Sequence, residues 1–566
     1  MCRVACYGEI LIPSGRQSLL TTNKPPRAIL SKVRRYYHTL RHLRPYQVIG
    51  RLVAPVQRQL TRLPTPPPDL RGELEARVPF PHHDPWNSRE ELLSGRVTFL
   101  NETEQPGWLP DWKAEDRSLL WRFNLHYFHQ LHLLSRDEQL ALCRHWCGTF
   151  SEPDPVAWHP YPTSLRIVNW CRADLNDRLV QESLYRQAAF LFRNLETFVY
   201  GNHLLENARA LVMAGTYFRG QGEADAWLQR GIQLYREQTA EQILSDGFHF
   251  ERSPMYHALV LEGYLDVLNV LPQSHPARPF FAATARSMTD VLASLTRPDG
   301  RLPLFNDATH EIAPPPGALI EYANHLLDGD ARRMNTFPDA GYYAYRDDDV
   351  FLMIDGGATG PEYLMAHAHA DIFSYELSLH GRPFIVDTGV YEYPEGPMRE
   401  YVRSTRAHNT VTVDGRDQVE CWSSFRVARR WAPHDVSFQT TPTGATFVGT
   451  FSGYADQIGD DIRHHRRLSV DAGARMVTFE DTVTGRGRHL VESRVRLHPD
   501  VELTENGSRL ILERDGYRAF LEVDRVSVRI EQGWYCPRFG ERHRNTVLVI
   551  GGALTLPARL GYRISY

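Results

Sequence analysis

Apolar residues follow three successive patterns along the chain. Residues 29–63 (ILSKVRRYYHTLRHLRPYQVIGRLVAPVQRQLTRL) are basic with helical spacing, and read as a solvated helical segment packed on the main body. A basic arm of this kind can also touch a membrane surface or an acidic partner. Pro64, Pro66, Pro67 and Pro68 then form a stiff linker. From about 115 to 335, apolar residues recur at three- and four-residue intervals in LLWRFNLHYFHQLHLL, PTSLRIVNWCRADL, YRQAAFLFRNLETFVY, NHLLENARALVMAGTYF, ADAWLQRGIQLYREQTAEQIL and MYHALVLEGYLDVLNVL. That spacing predicts helices, each burying one face. Short polar or Gly/Pro connections separate them, and no repeat of fixed period stands out, so a solenoid and a closed toroid both remain open. After about 340 the period changes to two, in FLMIDGG, SYELSLHGRPFIVDTG, NTVTVDG, RRLSV, ARMVTFEDTV, RLILE and AFLEVDRVSVRIEQG. With turn dipeptides such as Asp414-Gly415 and Asn506-Gly507, these runs predict antiparallel sheets arranged as a sandwich.

The expected fold is α+β and multidomain. Residues 1–70 form an N-terminal arm and basic helical segment with its Pro-rich linker, 71–335 an all-helical domain, and 336–566 an antiparallel β domain. A site built by both domains belongs at their junction, where ligand clefts often lie. Composition narrows the class. The 566 residues are 42% hydrophobic and 23% charged, which excludes wholesale disorder. The formal charge of −4 gives no global sign of a nucleic-acid binder. No apolar run approaches the ~20 residues of a membrane span, and no h-region marks a secretory signal, so the sequence alone reads as cytoplasmic. Aromatics reach 11%, which suits a protein that stacks sugar rings. Cys2/Cys6 and Cys143/Cys147 have close spacings, but the second pair has no nearby partner pair to complete a zinc site. The seven cysteines read mostly as reduced, buried thiols.

Four segments carry residues that a plain core does not need. In Gly201-Asn202-His203-Leu204-Leu205-Glu206-Asn207, Glu206 is placed one turn after His203 and can orient it, while Asn202 and His203 can donate to a substrate carboxylate. The plainer reading is an Asn cap with an incidental histidine. In Asp246-Gly247-Phe248-His249-Phe250-Glu251-Arg252-Ser253-Pro254-Met255-Tyr256-His257, Tyr256 can serve as proton donor or base, or simply anchor a capped helix. In Met365-Ala366-His367-Ala368-His369-Ala370-Asp371, an extended chain would put His367 and His369 on one face. With Asp387 and His408 the segment offers nitrogen and oxygen ligands for zinc, leaving one histidine for chemistry. Between Tyr391 and Arg406, tyrosines and arginines suit an anionic sugar polymer, or a surface loop with ordinary charge pairing.

The stretch HAHADIFSYELSLHGRPFIVDTGVYEY…REYVRSTRAHNTVTVDGRDQ resembles the heparinase II/III family of polysaccharide lyases, which includes related alginate and oligoalginate lyases. GNHLLENARAL and DGFHFERSPMYH look like the family's two α-domain site segments, in order. The resemblance covers roughly 115–500. It implies an incomplete (α/α) toroid followed by an antiparallel β-sandwich, and β-elimination of uronic-acid glycans. Carried over by position, Asn202 and His203 neutralise the uronate carboxylate, Tyr256 is the general acid, and in some members also the base, and His367 is a second catalytic histidine. Tyr401 is the match to a further catalytic tyrosine. His369, Asp387 and His408 match the ligands of a structural Zn2+. Glu206, Arg403 and Arg406 are added here as substrate contacts. The expected partner is an acidic poly- or oligosaccharide, with no nucleic acid and no transmembrane segment; a homodimer is one option for assembly. By resemblance the protein is periplasmic. Two rivals stand beside this reading. One is a glycoside hydrolase using carboxylates from Asp246, Glu251 and Asp307, and the other is a non-catalytic glycan-binding protein. A zinc hydrolase is a weaker third.

Overall fold

A computed structural model describes residues 26–566 apart from 83–85, 508 and 525. The first 25 residues, with Cys2 and Cys6, lie outside the described residues. Two helices open the described chain, α1 (Pro26–Leu40) and α2 (Pro45–Leu60). The Pro-rich stretch after them runs without regular structure, yet Leu63, Leu70, Leu74, Val78 and Phe80 pack on the helical core. The linker is therefore a strap laid along the body.

The helical body is built from Arg136–Thr149, Pro160–Ala173, Arg178–Arg193, Asn202–Tyr217, Ala224–Gln242, Pro254–Val270, Arg278–Leu295 and Pro316–Leu326. Asn202–Tyr217 packs against Pro160–Ala173, Arg178–Arg193, Ala224–Gln242 and Pro254–Val270, and Asn202–Tyr217 and Pro254–Val270 are buried almost all round. Such a helix lies inside a core and does not line its edge. The predicted run LLWRFNLHYFHQLHLL breaks in two, because Phe128 takes a left-handed conformation (φ 63°) between Leu119–Leu125 and the 3₁₀ turn His129–Leu133. Cys143, Cys147, Cys171 and Cys536 are buried free thiols, and Cys421 is partly buried and free.

Beyond residue 335 all named strand pairs are antiparallel. Eight strands form one sheet, from His434–Thr441 at one edge to Glu502–Asn506 at the other. Four form a second (Val528–Arg538, Glu541–Thr555, Arg488–Arg496, Val411–Val413), and five a third (Thr336–Phe337, Tyr342–Arg346, Val350–Asp355, Tyr375–Leu379, Arg382–Ile385). Alternation sorts inward from outward residues: Leu468, Phe479 and Tyr562 point into one core with Val491, Leu548 and Ile550. The register pairs Phe479 with Tyr562, whose rings stack at 4.6 Å. The five-stranded sheet positions the site. Its Tyr342, Ala344, Phe351 and Met353 join the helical core, whereas Tyr343, Tyr345, Leu352 and Ile354 join the β core. Buried on both faces, it is the wall between the two halves, and residues 364–371 leave it to meet the helices. Among the described residues, no helix is long and apolar enough to cross a membrane.

Candidate active site at the helix–sheet junction

Gly201 opens the helix that carries Asn202 and His203. It holds φ 64°, and a Cβ there would lie 2.4 Å from Glu251 Oε1 and 2.8 Å from Leu364. Glycine thus lets a carboxylate approach this helix end, where it accepts the Asn202 N–H at 3.0 Å. Asn202 and His203 line a cavity at the same N-terminus, where backbone N–H groups and the helix dipole favour an anion. The Asn202 side chain makes no hydrogen bond among the described residues. His203 stacks on Tyr161 at 4.2 Å and donates Nδ1–H to Glu196 Oε1 at 3.2 Å. Glu196 Oε2 also accepts from Asn207. Burial pushes the Glu196 carboxyl up, but His203, His159 and Arg58 outweigh it and hold the group down to about 2. Sequence reasoning gave this orienting role to Glu206. Glu206 does line the cavity, but its carboxylate is paired with Arg209 at 3.3 Å.

Tyr256 enters from the N-terminus of Pro254–Val270, which Ser253 caps through the Tyr256 N–H. Its ring stacks on His367 at 3.8 Å. Its hydroxyl lies 2.9 Å from that of Tyr393, which also lines the cavity. Burial, with Asp307 nearby, pushes the Tyr393 phenol well above its usual range, so it carries its proton at neutral pH. Tyr393 thus meets Tyr256 in the cavity, where Tyr401 was expected. The Tyr401 hydroxyl accepts from Arg496 Nη2 at 2.6 Å, away from the cavity lining. Arg403 is also reassigned: it is buried and donates to the carbonyls of Ala368, Ser423, Ser424 and Arg426, bracing the loop. Arg406 is exposed with its guanidinium over the Tyr401 ring, and it does not line the cavity.

His367 and His369 lie on an irregular loop, not on one face of a strand. They share Asp307 instead: His367 Nδ1 reaches Oδ2 at 3.0 Å and His369 Nε2 reaches Oδ1 at 2.9 Å. Arg399 grips the same carboxylate with both terminal nitrogens, at 2.5 and 2.8 Å. Burial opposes ionisation of Asp307, but Arg399 and the two histidines hold it well below the usual carboxylate range. Asp307 is a fully buried hub, unlike the solvent-reaching carboxylate that hydrolysis needs. Glu251 is likewise buried, against His367 Nε2 at 3.2 Å, and burial raises its pKa. Asp246 accepts the N–H groups of Phe248, Asp339 and Ala340 as a turn cap. Sequence reasoning proposed neither Arg399 nor Asp307 for this hub; the only local hint was Arg399 within the Tyr/Arg-rich loop.

Three residues that could hold a metal ion sit behind Asp307. His369 Nδ1, His408 Nε2 and Asp371 Oδ1 are buried without hydrogen-bond partners among the described residues. One donor atom from each of the three residues lies within 4.8 Å of the others. Burial holds the His369 imidazole down to about 3, so it is neutral as a ligand must be. Two nitrogens and a carboxylate oxygen fit a zinc-type donor set. Asp371 completes this group, whereas the oxygens of the expected Asp387 are taken by His408 Nδ1 (2.9 and 3.0 Å), Ser374 Oγ and the Thr388 N–H. Asp387 thus stands behind His408, as carboxylates commonly do behind metal-binding histidines.

The remaining wall of the cavity is aromatic, with Trp86, Phe123, Tyr127, Tyr161, Phe425 and Phe539. Its two arginines are already engaged. Arg172 pairs with Glu262 (2.8 Å) and Asp266 (2.5 Å), and Arg209 with Glu206, Glu262 and Asp266.

The chain matches the Heparinase II/III N-terminus model over residues 161–314 and the Heparinase II/III-like, C-terminal model over residues 329–562. A heparin-sulfate lyase of Pedobacter heparinus is 25% identical over 363 residues, 54% of this chain and 54% of that protein. A heparin-sulfate lyase of Bacteroides stercoris is 28% identical over 263 residues, 41% of this chain and 38% of that protein. The chain thus spans about half the length, or less, of the curated relatives it matches. The crystal structure of a heparinase III superposes with a TM-score of 0.67 at 17% identity, covering 90% of this chain and 88% of that one, which shows a shared fold. Two consecutive family models thus meet at the junction where Asn202, His203, Tyr256 and His367 converge, and the chain belongs to the heparinase II/III-like family of polysaccharide lyases.

Proposed function

We propose that this protein is a polysaccharide lyase that cleaves a uronic-acid-containing glycan by β-elimination. The observation that carries the reading is the Tyr256–Tyr393 hydroxyl pair at 2.9 Å, in one cavity with Asn202 and His203. On this reading Asn202 and His203 bind the uronate carboxylate at the helix N-terminus. That stabilises the enolate-like charge that develops when the C5 proton leaves, and pre-organised donors of this kind are often the largest catalytic contribution. Tyr256, as its phenolate, takes the C5 proton, and Tyr393, which carries its proton, protonates the departing O4; the proton gained by Tyr256 then crosses the 2.9 Å contact and restores Tyr393. Positioned proton transfer contributes ~10²–10⁴-fold. His367, clamped between Glu251 and Asp307, holds the Tyr256 ring by stacking. In this geometry it positions Tyr256 and does not itself move a proton.

The same reading takes the helices as an incomplete (α/α) toroid and the sheets as a β-sandwich. It places Zn2+ at His369, Asp371 and His408, where a bound metal would tie the loop to the strands. It also sets a substrate preference. Among the described cavity residues, two guanidiniums face the carboxylates of Glu206, Glu262 and Asp266, so no uncommitted guanidinium awaits a sulfate. The substrate class is an unsulfated or sparsely sulfated uronate polymer, such as the less sulfated regions of a glycosaminoglycan or an exopolysaccharide. The names of the heparin-sulfate lyase relatives support a glycosaminoglycan. The carboxylates of the hydrolase rival are buried or tied up as described above, which argues against it. The test is the ultraviolet absorbance of the unsaturated product, measured on unsulfated and sulfated uronate polymers. Reducing ends without that absorbance would sink the proposal.

A further inference from the structure

Helix α2 is amphipathic in the inverted sense. The face turned to the protein is polar or small. Gln47 is fully buried, and burial pushes the Arg51 and Arg58 pKa values down. Gly50 lies so close to Phe198 that a Cβ would stand 2.2 Å from its Cβ. Arg44, just before the helix, pairs with Glu241 at 2.5 Å and lies over the Tyr363 ring at 3.8 Å. The opposite face carries Ile49, Leu52, Val53, Val56 and Leu60, each between 50% and 74% exposed. Their spacing of three, one, three and four residues is a single stripe along the helix. Helix α1 adds Val33 and Tyr37, 60% and 62% exposed and four residues apart. More exposed large apolar side chains lie on these two helices than on the rest of the described chain together. Contiguous exposed apolar surface of this kind marks an interaction site.

The charge around the stripe selects the occupant. Residues 26–62 hold nine arginines and lysines and no acidic residue. Lys32, Arg34, Arg41 and Arg62 are exposed and pair with no carboxylate among the described residues. From Ile49 to Leu60 the stripe is aliphatic; Tyr46, on the same face at its N-terminal end, is 37% exposed and packs on Tyr200 at 5.0 Å, so no tryptophan or central tyrosine of the kind that anchors protein interfaces stands in the stripe. An aliphatic stripe on α2, with exposed cations on the preceding helix α1, just after it and just after α2, matches the acyl boundary and anionic headgroups of a bilayer.

We propose that α1 and α2 form a peripheral docking surface for an anionic lipid membrane. The stripe of α2 sinks into the acyl boundary while the flanking cations meet the headgroups. Residues Ile49 to Leu60 are then the contact that holds the protein at a membrane surface, with the sugar cavity left open to its polymer.

The experiment is co-sedimentation of the full chain with vesicles of phosphatidylcholine alone and of phosphatidylcholine with phosphatidylglycerol. The expected result is pelleting with the mixed vesicles that falls as salt is added. Each lost cation should weaken partitioning about fivefold, so the pair Arg34→Gln and Arg41→Gln should lose about 25-fold. The triple variant Ile49→Ser, Val53→Ser, Val56→Ser should release the protein from the mixed vesicles. None of these side chains lines the cavity, so turnover of soluble polymer should stay at wild type. The proposal is overturned if the full chain binds neither vesicle, or if the triple variant still binds. It is also overturned if the full chain is a dimer by light scattering and that variant a monomer, since a second copy then covers the stripe. Binding that appears only after residues 1–25 are deleted would overturn it as well, by making that segment the cover.

Discussion

Tyr393→Phe separates a proton-transferring tyrosine from a structural one. Among the described residues the Tyr393 hydroxyl meets one group, the Tyr256 hydroxyl at 2.9 Å. The ring keeps its packing on Phe425 and Phe539 at 5.1 and 4.8 Å whether or not the hydroxyl is present. The substitution therefore costs about 1 kcal/mol of stability, the worth of one hydrogen bond. If the hydroxyl exchanges a proton with the sugar, kcat falls by ~10²–10⁴-fold, or about 3–5 kcal/mol of barrier. Tyr401→Phe supplies the contrast. It leaves Arg496 Nη2 with only the Trp534 carbonyl at 3.0 Å, and strands part of a buried guanidinium. Its cost is about 1–3 kcal/mol of stability, with kcat close to wild type. The assay pairs initial rates of absorbance rise on a soluble uronate polymer with urea midpoints of both variants. The reasoning fails if Tyr393→Phe keeps wild-type kcat, or if Tyr401→Phe loses kcat while its midpoint is unchanged.

Three further outcomes are expected. The Glu196 carboxyl is held at about 2 against an ordinary 4.5, so it adds about 3 kcal/mol of stability. A depressed carboxylate contributes above its unfolded pKa, so this stability is whole above about pH 4.5 and fades as pH falls toward 2. Glu196→Gln should flatten that part of the acid-unfolding curve and raise KM through a misoriented His203; a curve identical to wild type would refute the pairing. Metal analysis should find near-stoichiometric zinc, lost in His408→Ala with a lower unfolding temperature. Asp387→Asn should weaken zinc affinity about 10–100-fold, and Asp371→Asn should cost more, whereas the reverse order would restore Asp387 as the ligand. Finally, kcat/KM should fall as sulfation of the polymer rises, and a preference for the most sulfated heparin would contradict the charge balance of the cavity.

Much of the site was legible because its residues sit in short runs with local logic. Asn202 and His203 open a helix, Tyr256 follows a serine cap, and His367 and His369 flank one alanine. What the sequence left hidden was set by contacts distant in the chain. Tyr393 lies on the irregular segment before the short helix Pro397–Val402 that carries Arg399 and Tyr401, and the clasp of Arg399 on Asp307, 92 residues apart, anchors that helix beside Tyr256. Glu196 displaced Glu206 as the partner of His203 because the turn before the helix folds back, while Arg209 claims Glu206. Asp371 and Asp387 are both near the histidines, and hydrogen bonds from His408 and Ser374 rather than spacing choose between them. The period of α2 was readable, but its direction was not. A helical pattern predicts an apolar face turned inward, and the close seat of Gly50 on Phe198 turns it out.

The central claim is elimination at a uronate, and one measurement meets it directly. Wild type and Tyr256→Phe are incubated with a panel of uronate polymers while ultraviolet absorbance is followed. The account predicts a rise with wild type on an unsulfated or sparsely sulfated polymer, and a rate lower by ~10²–10⁴-fold in the variant. Chain cleavage with new reducing ends and no absorbance, or equal rates in the two proteins, would contradict it.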